Sequence, residues 1–190
     1  MATTACLTPM QHSATIGAMG RDLLLVRHVK SAWDDPSLAD HDRPVALRGM
    51  KAVRHLRDYL KRSDYRPTVV LCSSSRRTVD TLDGIRAALP KRASIEVADE
   101  LYLAHADTLL ARLQALDGTI RCAMVVGHNP AIEDLAARLV GSGDAALRAQ
   151  LAAKVPTGAL VALSFDRAWT DLGTGAAHID ALFLPRPPRA

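Results

Sequence analysis

Aromatic side chains are scarce, with Phe, Trp and Tyr together making up 4% of the 190 residues. The Lys and Arg residues are dispersed rather than striped, so no stacking platform for nucleic-acid bases is expected. The formal net charge of +4 then reads as a surface that draws anionic, phosphorylated substrates. Cysteine is also rare. Cys6, Cys72 and Cys122 form no close pair and no metal-ligand spacing. Cys72 and Cys122 lie in or beside apolar runs and are expected as small buried hydrophobes, a cytosolic pattern that suggests a cytoplasmic protein. No apolar run approaches the roughly 20 residues needed to span a bilayer, so no membrane partner is expected. Residues 1–20 lack the basic start and continuous apolar stretch of a secretory signal and are expected to be a disordered leader, or translation from an upstream start, since Met19 could also begin the chain. Also missing are a Gly-rich loop ending in Lys-Ser/Thr, a Cys-x5-Arg thiolate loop and a paired histidine–carboxylate metal motif. Neither a metal nor an organic cofactor is implied.

What is present suits one domain over residues 21–184, with 48% of the chain apolar. Leu23–Val26, Val69–Cys72 and Ala123–Val126 are short, fully apolar runs, as expected of strands buried on both faces. Leu160–Phe165 and His178–Leu184 read as two more strands, the last with the alternating polarity of an edge. Between them lie amphipathic stretches. Val53, Leu56 and Leu60 recur at helical spacing within Arg48–Lys61. Leu109, Leu110, Leu113 and Leu116 do the same, as do Ile132, Leu135, Ala136 and Leu139. Strand alternating with helix predicts an α/β three-layer sandwich: a mainly parallel central sheet with helices on both faces. Pro185–Pro188 is expected to stop the last strand and begin a tail over 185–190.

In open α/β sheets, ligands bind beyond the carboxyl ends of the strands. Arg27 and His28 follow the first apolar run. Ser73, Ser74, Ser75, Arg76 and Arg77 follow the second, and Gly127, His128, Asn129 and Pro130 follow the third. Each group alone has an ordinary reading. The Arg-His pair could be a surface pair, the serines a helix cap, and Gly127–Pro130 a turn with Pro130 at the first helical position. Together, at corresponding ends of three strands, they suit phosphoryl transfer. Guanidinium forks and imidazole donors clamp the equatorial oxygens, and a neutral imidazole nitrogen can attack phosphorus.

The segments Leu24-Leu25-Val26-Arg27-His28-Val29-Lys30-Ser31, Asp40-His41-Asp42-Arg43-Pro44, Ser73 through Thr81 and Val126-Gly127-His128-Asn129-Pro130 resemble the histidine phosphatase superfamily. The superfamily is phosphoglycerate mutase-like, and the likeness is closest to its small bacterial phosphohistidine phosphatases of the SixA type. The resemblance implies that His28 is the phosphorylated nucleophile, with Arg27, Arg77 and His128 forming the rest of the phosphate pocket. The spacing to Thr81 favours Arg77 over the adjacent Arg76. Asn129 would add an amide contact or shape the turn. Glu100 is the candidate general acid, with Asp99 as its rival. The sequence departs from the family at Val29, where glycine is usual, and at Ser74, where proline is common. A β-branched residue tolerates positive φ poorly, so Val29 requires either ordinary or strained backbone there.

The remaining histidines, His12, His55 and His105, are expected to be solvated. His41, Asp42 and Arg43 would rim the pocket or form a surface turn. The function expected is a metal-independent phosphatase that acts on phosphohistidine in proteins or on small phosphate esters. The alternatives are a phosphomutase of the same superfamily and a catalytically weak phosphopeptide-binding module. Sequence leaves the oligomeric state open.

Overall fold

The computed structural model describes residues 20–185. The expected leader (apart from Gly20), with Cys6 and His12, and the tail beyond Pro185 lie outside the described residues. Seven strands form one sheet in the order β3-β2-β4-β1-β6-β7-β5. They are β1 (Arg21–Arg27), β2 (Val69–Ser73), β3 (Ser94–Ala98), β4 (Cys122–Gly127), β5 (Val140–Gly143), β6 (Leu160–Phe165) and β7 (Ala177–Phe183). β1 pairs parallel with β4, and β2 pairs parallel with both β4 and β3. β6 runs antiparallel to β1 and β7, and the short β5 lies parallel to β7. The sheet is therefore mainly parallel, as the alternation of elements predicts.

Two cores, one on each face, explain the unbroken apolar runs. Leu23 and Leu25 of β1 point into one, and Leu24 and Val26 into the other. A strand at the centre of a covered sheet needs apolar side chains at successive positions because consecutive residues face opposite layers. Helices α1 (Leu47–Arg62) and α2 (Arg76–Ile85) close one face through Val53, Leu56, Leu60, Leu82 and Ile85. Helices α3 (Ala106–Gln114), α4 (Ala131–Leu139) and α5 (Ala145–Ala153) close the other. Each fully buried leucine contributes about 2 kcal/mol by burial, and the four apolar residues Leu23–Val26 are all wholly inaccessible. That rigidity is what the site is hung from.

Three elements depart from the sequence expectation. β3, Ser-Ile-Glu-Val-Ala, is largely exposed and forms one edge of the sheet. β5, Val-Gly-Ser-Gly, is too short and glycine-rich to signal a strand. It covers β7, so β7 is not the edge that its alternation suggested. α5 is alanine-rich with Leu151 as its one buried residue, which leaves no apolar periodicity to read. Pro130 precedes α4 at the N-cap rather than occupying its first helical position. Among the described residues, no helix is long and apolar enough to cross a membrane. Cys72 and Cys122 are buried as free thiols. Desolvation pushes each thiol up to about 12, so neither is a nucleophile at neutral pH.

Candidate active site

The neighbouring parallel strands β2, β4 and β1 bring their carboxyl ends together, and each end delivers a polar side chain. The His28 amide continues the ladder past β1 by donating to the Gly127 carbonyl at 3.0 Å. Gly158 secures the same end from the other side, its N–H lying 3.1 Å from the Arg27 carbonyl and 3.0 Å from that of His28. Its φ of +82° is a conformation that glycine adopts without strain. The room left by glycine also explains Val29. Its backbone has ordinary negative φ, since Leu103 is the one non-glycine residue with positive φ among the described residues. Its side chain is wholly buried, packed where a Cβ on Gly49 or on Gly158 would come within 3.3 Å of it. Valine here fills a space between two glycines.

His28 and His128 are both buried, with ring centroids 5.1 Å apart. His28 Nδ1 lies 2.6 Å from the Val29 carbonyl. Only a protonated nitrogen can make that bond, so Nε2 carries the lone pair. His128 Nε2 is 2.8 Å from Ser73 Oγ, and its Nδ1 faces Arg77 Nη2 at 3.5 Å. Because Arg77 can only donate, Nδ1 accepts and the Nε2–H donates to Ser73. Burial lowers His28 to about 4, reinforced by Arg77 and Arg27 and opposed by the Val29 hydrogen bond and Asp40. Burial likewise lowers His128 to about 3, with His28, Arg77 and Arg27 adding to the shift against Asp40. Both rings are thus neutral at pH 7, which a nitrogen nucleophile requires.

These depressions carry a pH signature. Unfolded imidazoles titrate near 6.5, so as pH falls from 6.5 towards 4 the unfolded chain takes up protons that the native chain refuses. Stability from this source is complete above 6.5 and is lost on acidification. The urea midpoint is expected to fall between pH 7 and pH 4.5, and to fall less in His28→Asn, where one depressed ring is gone. An equal fall in the variant would show that His28 is not held neutral.

Arg77 is 5% exposed and is the second residue of α2, two positions after the N-cap Ser75. None of the serines caps this helix through its side chain. Ser75 Oγ instead pairs with Thr78 Oγ1 at 2.8 Å. Thr81 ties the site together, its Oγ1 lying 3.2 Å from the Val29 amide and 2.6 Å from the Arg77 carbonyl. Both terminal nitrogens of Arg77 reach Asp40: Nη1 donates to its carbonyl at 2.5 Å and Nη2 to Oδ2 at 2.8 Å. Arg27 Nη1 donates to the Val155 carbonyl at 2.7 Å, while its buried Nε has no partner. A guanidinium with a spare buried donor can still take an anion.

The other sequence candidates go elsewhere. Asn129 Nδ2 donates to Glu133 at 2.6 Å and to the Val155 carbonyl at 3.1 Å, which braces the loop that also holds Arg27. Glu100 sits on the single 3-10 turn Asp99–Leu101. Leu101 faces the core there, and the Glu100 carboxylate, half exposed, pairs with Arg112 at 2.8 Å. The structure does not bring it against either histidine. His55 and His105 are exposed.

Two residues of the site carried no role in the sequence reading. Tyr102 sets its ring edge-on to His128, at 5.6 Å, and to His41, at 4.8 Å, and its hydroxyl donates to Asp40 Oδ2 at 2.8 Å. Asp40 joins Arg77 and Tyr102 across the pocket, and these two hold its carboxyl below the usual range despite desolvation. His41 belongs to this rim, with Nε2 3.0 Å from Ser74 Oγ.

Comparison with known proteins places this geometry. Residues 23–102 match the model of the histidine phosphatase superfamily, branch 1. An uncharacterized protein of Mycobacterium tuberculosis is 31% identical over 163 residues, covering 85% of this chain and 100% of the relative. Among solved structures, a candidate phosphohistidine phosphatase SixA from Nakamurella multipartitia superposes with a TM-score of 0.77 at 28% identity, covering 87% of this chain and 96% of that one. Another from Agrobacterium tumefaciens gives 0.72 at 27% identity over 87% and 98%. On these matches the chain belongs to the histidine phosphatase superfamily and, within it, is of the SixA type.

Proposed function

We propose that the protein is a metal-independent phosphatase that works through a phosphohistidine on His28 and acts on phosphohistidine in proteins. The observation that carries this reading is the His28 Nδ1 bond to the Val29 carbonyl. It leaves Nε2 unprotonated beside Arg77 and His128, in a setting that keeps the ring neutral. The Nε2 lone pair attacks phosphorus as the bond from phosphorus to the substrate nitrogen breaks. The departing imidazole takes a proton from solvent. Water then attacks the phosphoryl group, the bond to Nε2 breaks, and inorganic phosphate leaves. Arg27 and Arg77 hold the equatorial oxygens in both steps, where preorganised donors are worth most, and His128 joins them by taking up a proton at Nδ1 beside the phosphoryl dianion.

Asp40 is a resident anion on the fork of Arg77. The entering phosphoryl group takes the place of the carboxylate on Nη2, and the Asp40 side chain, 46% exposed, swings into water as the phosphoryl oxygens compensate the buried guanidinium. Glu100 is not the proton donor in this scheme, because a substrate imidazole is a good leaving group and the carboxylate is engaged by Arg112. Glu100→Gln is expected to keep turnover of a phosphohistidine protein within about threefold, since exposed ion pairs contribute only about 0–1 kcal/mol. A loss on the scale of a general acid, about 10²-fold or more, would restore Glu100 to the mechanism.

The direct test is phosphate release, in excess chelator, from a protein phosphorylated on histidine and from an aryl phosphate ester. Release from the phosphohistidine protein at the higher kcat/KM is the expected result. Abolition by chelator would reveal a metal requirement, and faster turnover of the ester would move the substrate class to small phosphate esters.

A further inference from the structure

A cleft of about 360 Å³ opens beside the carboxyl end of β1, and it includes neither His28 nor His128. Its charged lining is of one sign: Lys30, Arg48 and Lys51, with His55 beside them and no acidic residue. All three cations are exposed, and none makes an ion pair among the described residues. Some exposed cations elsewhere do have acidic partners. Arg76 pairs with Asp80, Arg112 with Glu96 and Glu100, and Arg138 with Asp107.

The placement of these charges runs against local stability. Arg48 lies in the first turn of α1 and Lys51 just beyond it, where the helix macrodipole disfavours cations, and that turn holds no acidic residue. An arrangement that the helix itself opposes favours an anion from outside at this place. The cleft is also tied to the catalytic end of the sheet. Lys30 is two residues past His28, so their Cα atoms are at most about 7.6 Å apart, two trans peptide steps. Pro156 follows Val155, whose carbonyl holds Arg27. His55 Nδ1 donates to the Pro185 carbonyl at 3.1 Å, which fixes Pro185 as one wall. Pro156, Pro185 and Ala52 give the cleft apolar sides suited to the methylene stems of acidic side chains.

We propose that this cleft docks an acidic segment of the phosphoprotein substrate, with its carboxylates on Lys30, Arg48 and Lys51 while the phosphoryl group enters the histidine pocket. The proposal rests on the reading of the substrate as a protein. Single-stranded nucleic acid fits less well because no aromatic residue lines the cleft for base stacking. A lipid surface is flat and cannot enter a walled cleft. Residues 186–190 carry Arg186 and Arg189 and no acidic side chain, so their charge does not complement the cleft.

The test titrates a Glu-rich decapeptide into the full chain by calorimetry at low salt, and compares R48E/K51E. Both substitutions are on exposed helix positions where glutamate is a good helix former and favoured by the dipole, and R48Q/K51Q serves as a milder second variant. The wild-type protein is expected to bind the peptide about tenfold or more tightly than R48E/K51E, with affinity falling as salt rises. In turnover, KM for the phosphoprotein should rise by a similar factor while aryl ester kinetics stay unchanged. Equal peptide affinity in wild type and both variants overturns the proposal. So does binding of phosphatidylserine vesicles or a single-stranded oligonucleotide by wild type in place of the peptide. Failure of the wild type to release phosphate from any protein would count against the functional reading alone, because peptide binding is scored without turnover.

Discussion

His28→Ala is expected to lower phosphate release by on the order of 10⁴-fold or more, the scale seen when a covalent nucleophile is deleted. The argument rests on the state of one nitrogen. The Nδ1 bond to the Val29 carbonyl fixes the tautomer, and burial keeps the ring neutral, so Nε2 is already a nucleophile before substrate arrives. Arg27, Arg77 and His128 remain in the variant and should still bind phosphate. Loss of turnover with retained binding therefore separates attack from recognition. A second readout is covalent. Wild-type protein quenched during turnover should carry a phosphoryl group that is labile to acid and stable to base, as expected of a phosphorus–nitrogen bond, and the variant should carry none. Activity in His28→Ala within tenfold of wild type would end the proposed mechanism.

Arg77→Ala is expected to reduce kcat/KM by about 10²–10³-fold, the loss typical of removing one preorganised donor from a developing oxyanion. Arg77 is nearly inaccessible, and its two terminal nitrogens already converge on one acidic residue, Asp40. That geometry matches a tetrahedral oxyanion better than a point charge does, so Arg77→Lys should recover little of the loss. The variant needs a stability control, because a buried side chain is removed from the first turn of α2. Melting within a few degrees of wild type, with both kcat and KM impaired, would assign the loss to phosphate binding. Near-normal kinetics would mean that the Asp40 pair is structural and that the phosphate sits elsewhere.

The strand ends were legible in the sequence because their causes are local. A central strand covered on both faces has no polar position to offer, so Leu23–Val26, Val69–Cys72 and Ala123–Val126 announce themselves, and the residue after each run must emerge at the carboxyl edge. The order of Arg27-His28, Arg77 and His128 along the chain could be read for the same reason. β3 and β5 are edge strands held by pairing rather than by burial, so their sequences carry little signal. The polarity of His178–Leu184 suggested an edge because sequence shows which positions are polar and not which strand lies alongside.

By itself, then, the sequence determined the α/β layering, the family and four of the side chains brought to one end of the sheet, Arg27, His28, Arg77 and His128, since burial pattern and strand polarity are properties of short segments. Only the tertiary structure decided how those side chains are used. Asp40 reaches Arg77 across 37 positions of chain, and Ser73 reaches His128 across 55. Tyr102 arrives beside His128 from the turn that sends Glu100 away to Arg112. Val29 is accommodated because Gly49 and Gly158 come from distant segments to make room for it. Hydrogen-bond partners, tautomers and the depressed basicity of two buried histidines depend on which groups meet in three dimensions, and long-range contacts of that kind leave no periodic trace along the chain.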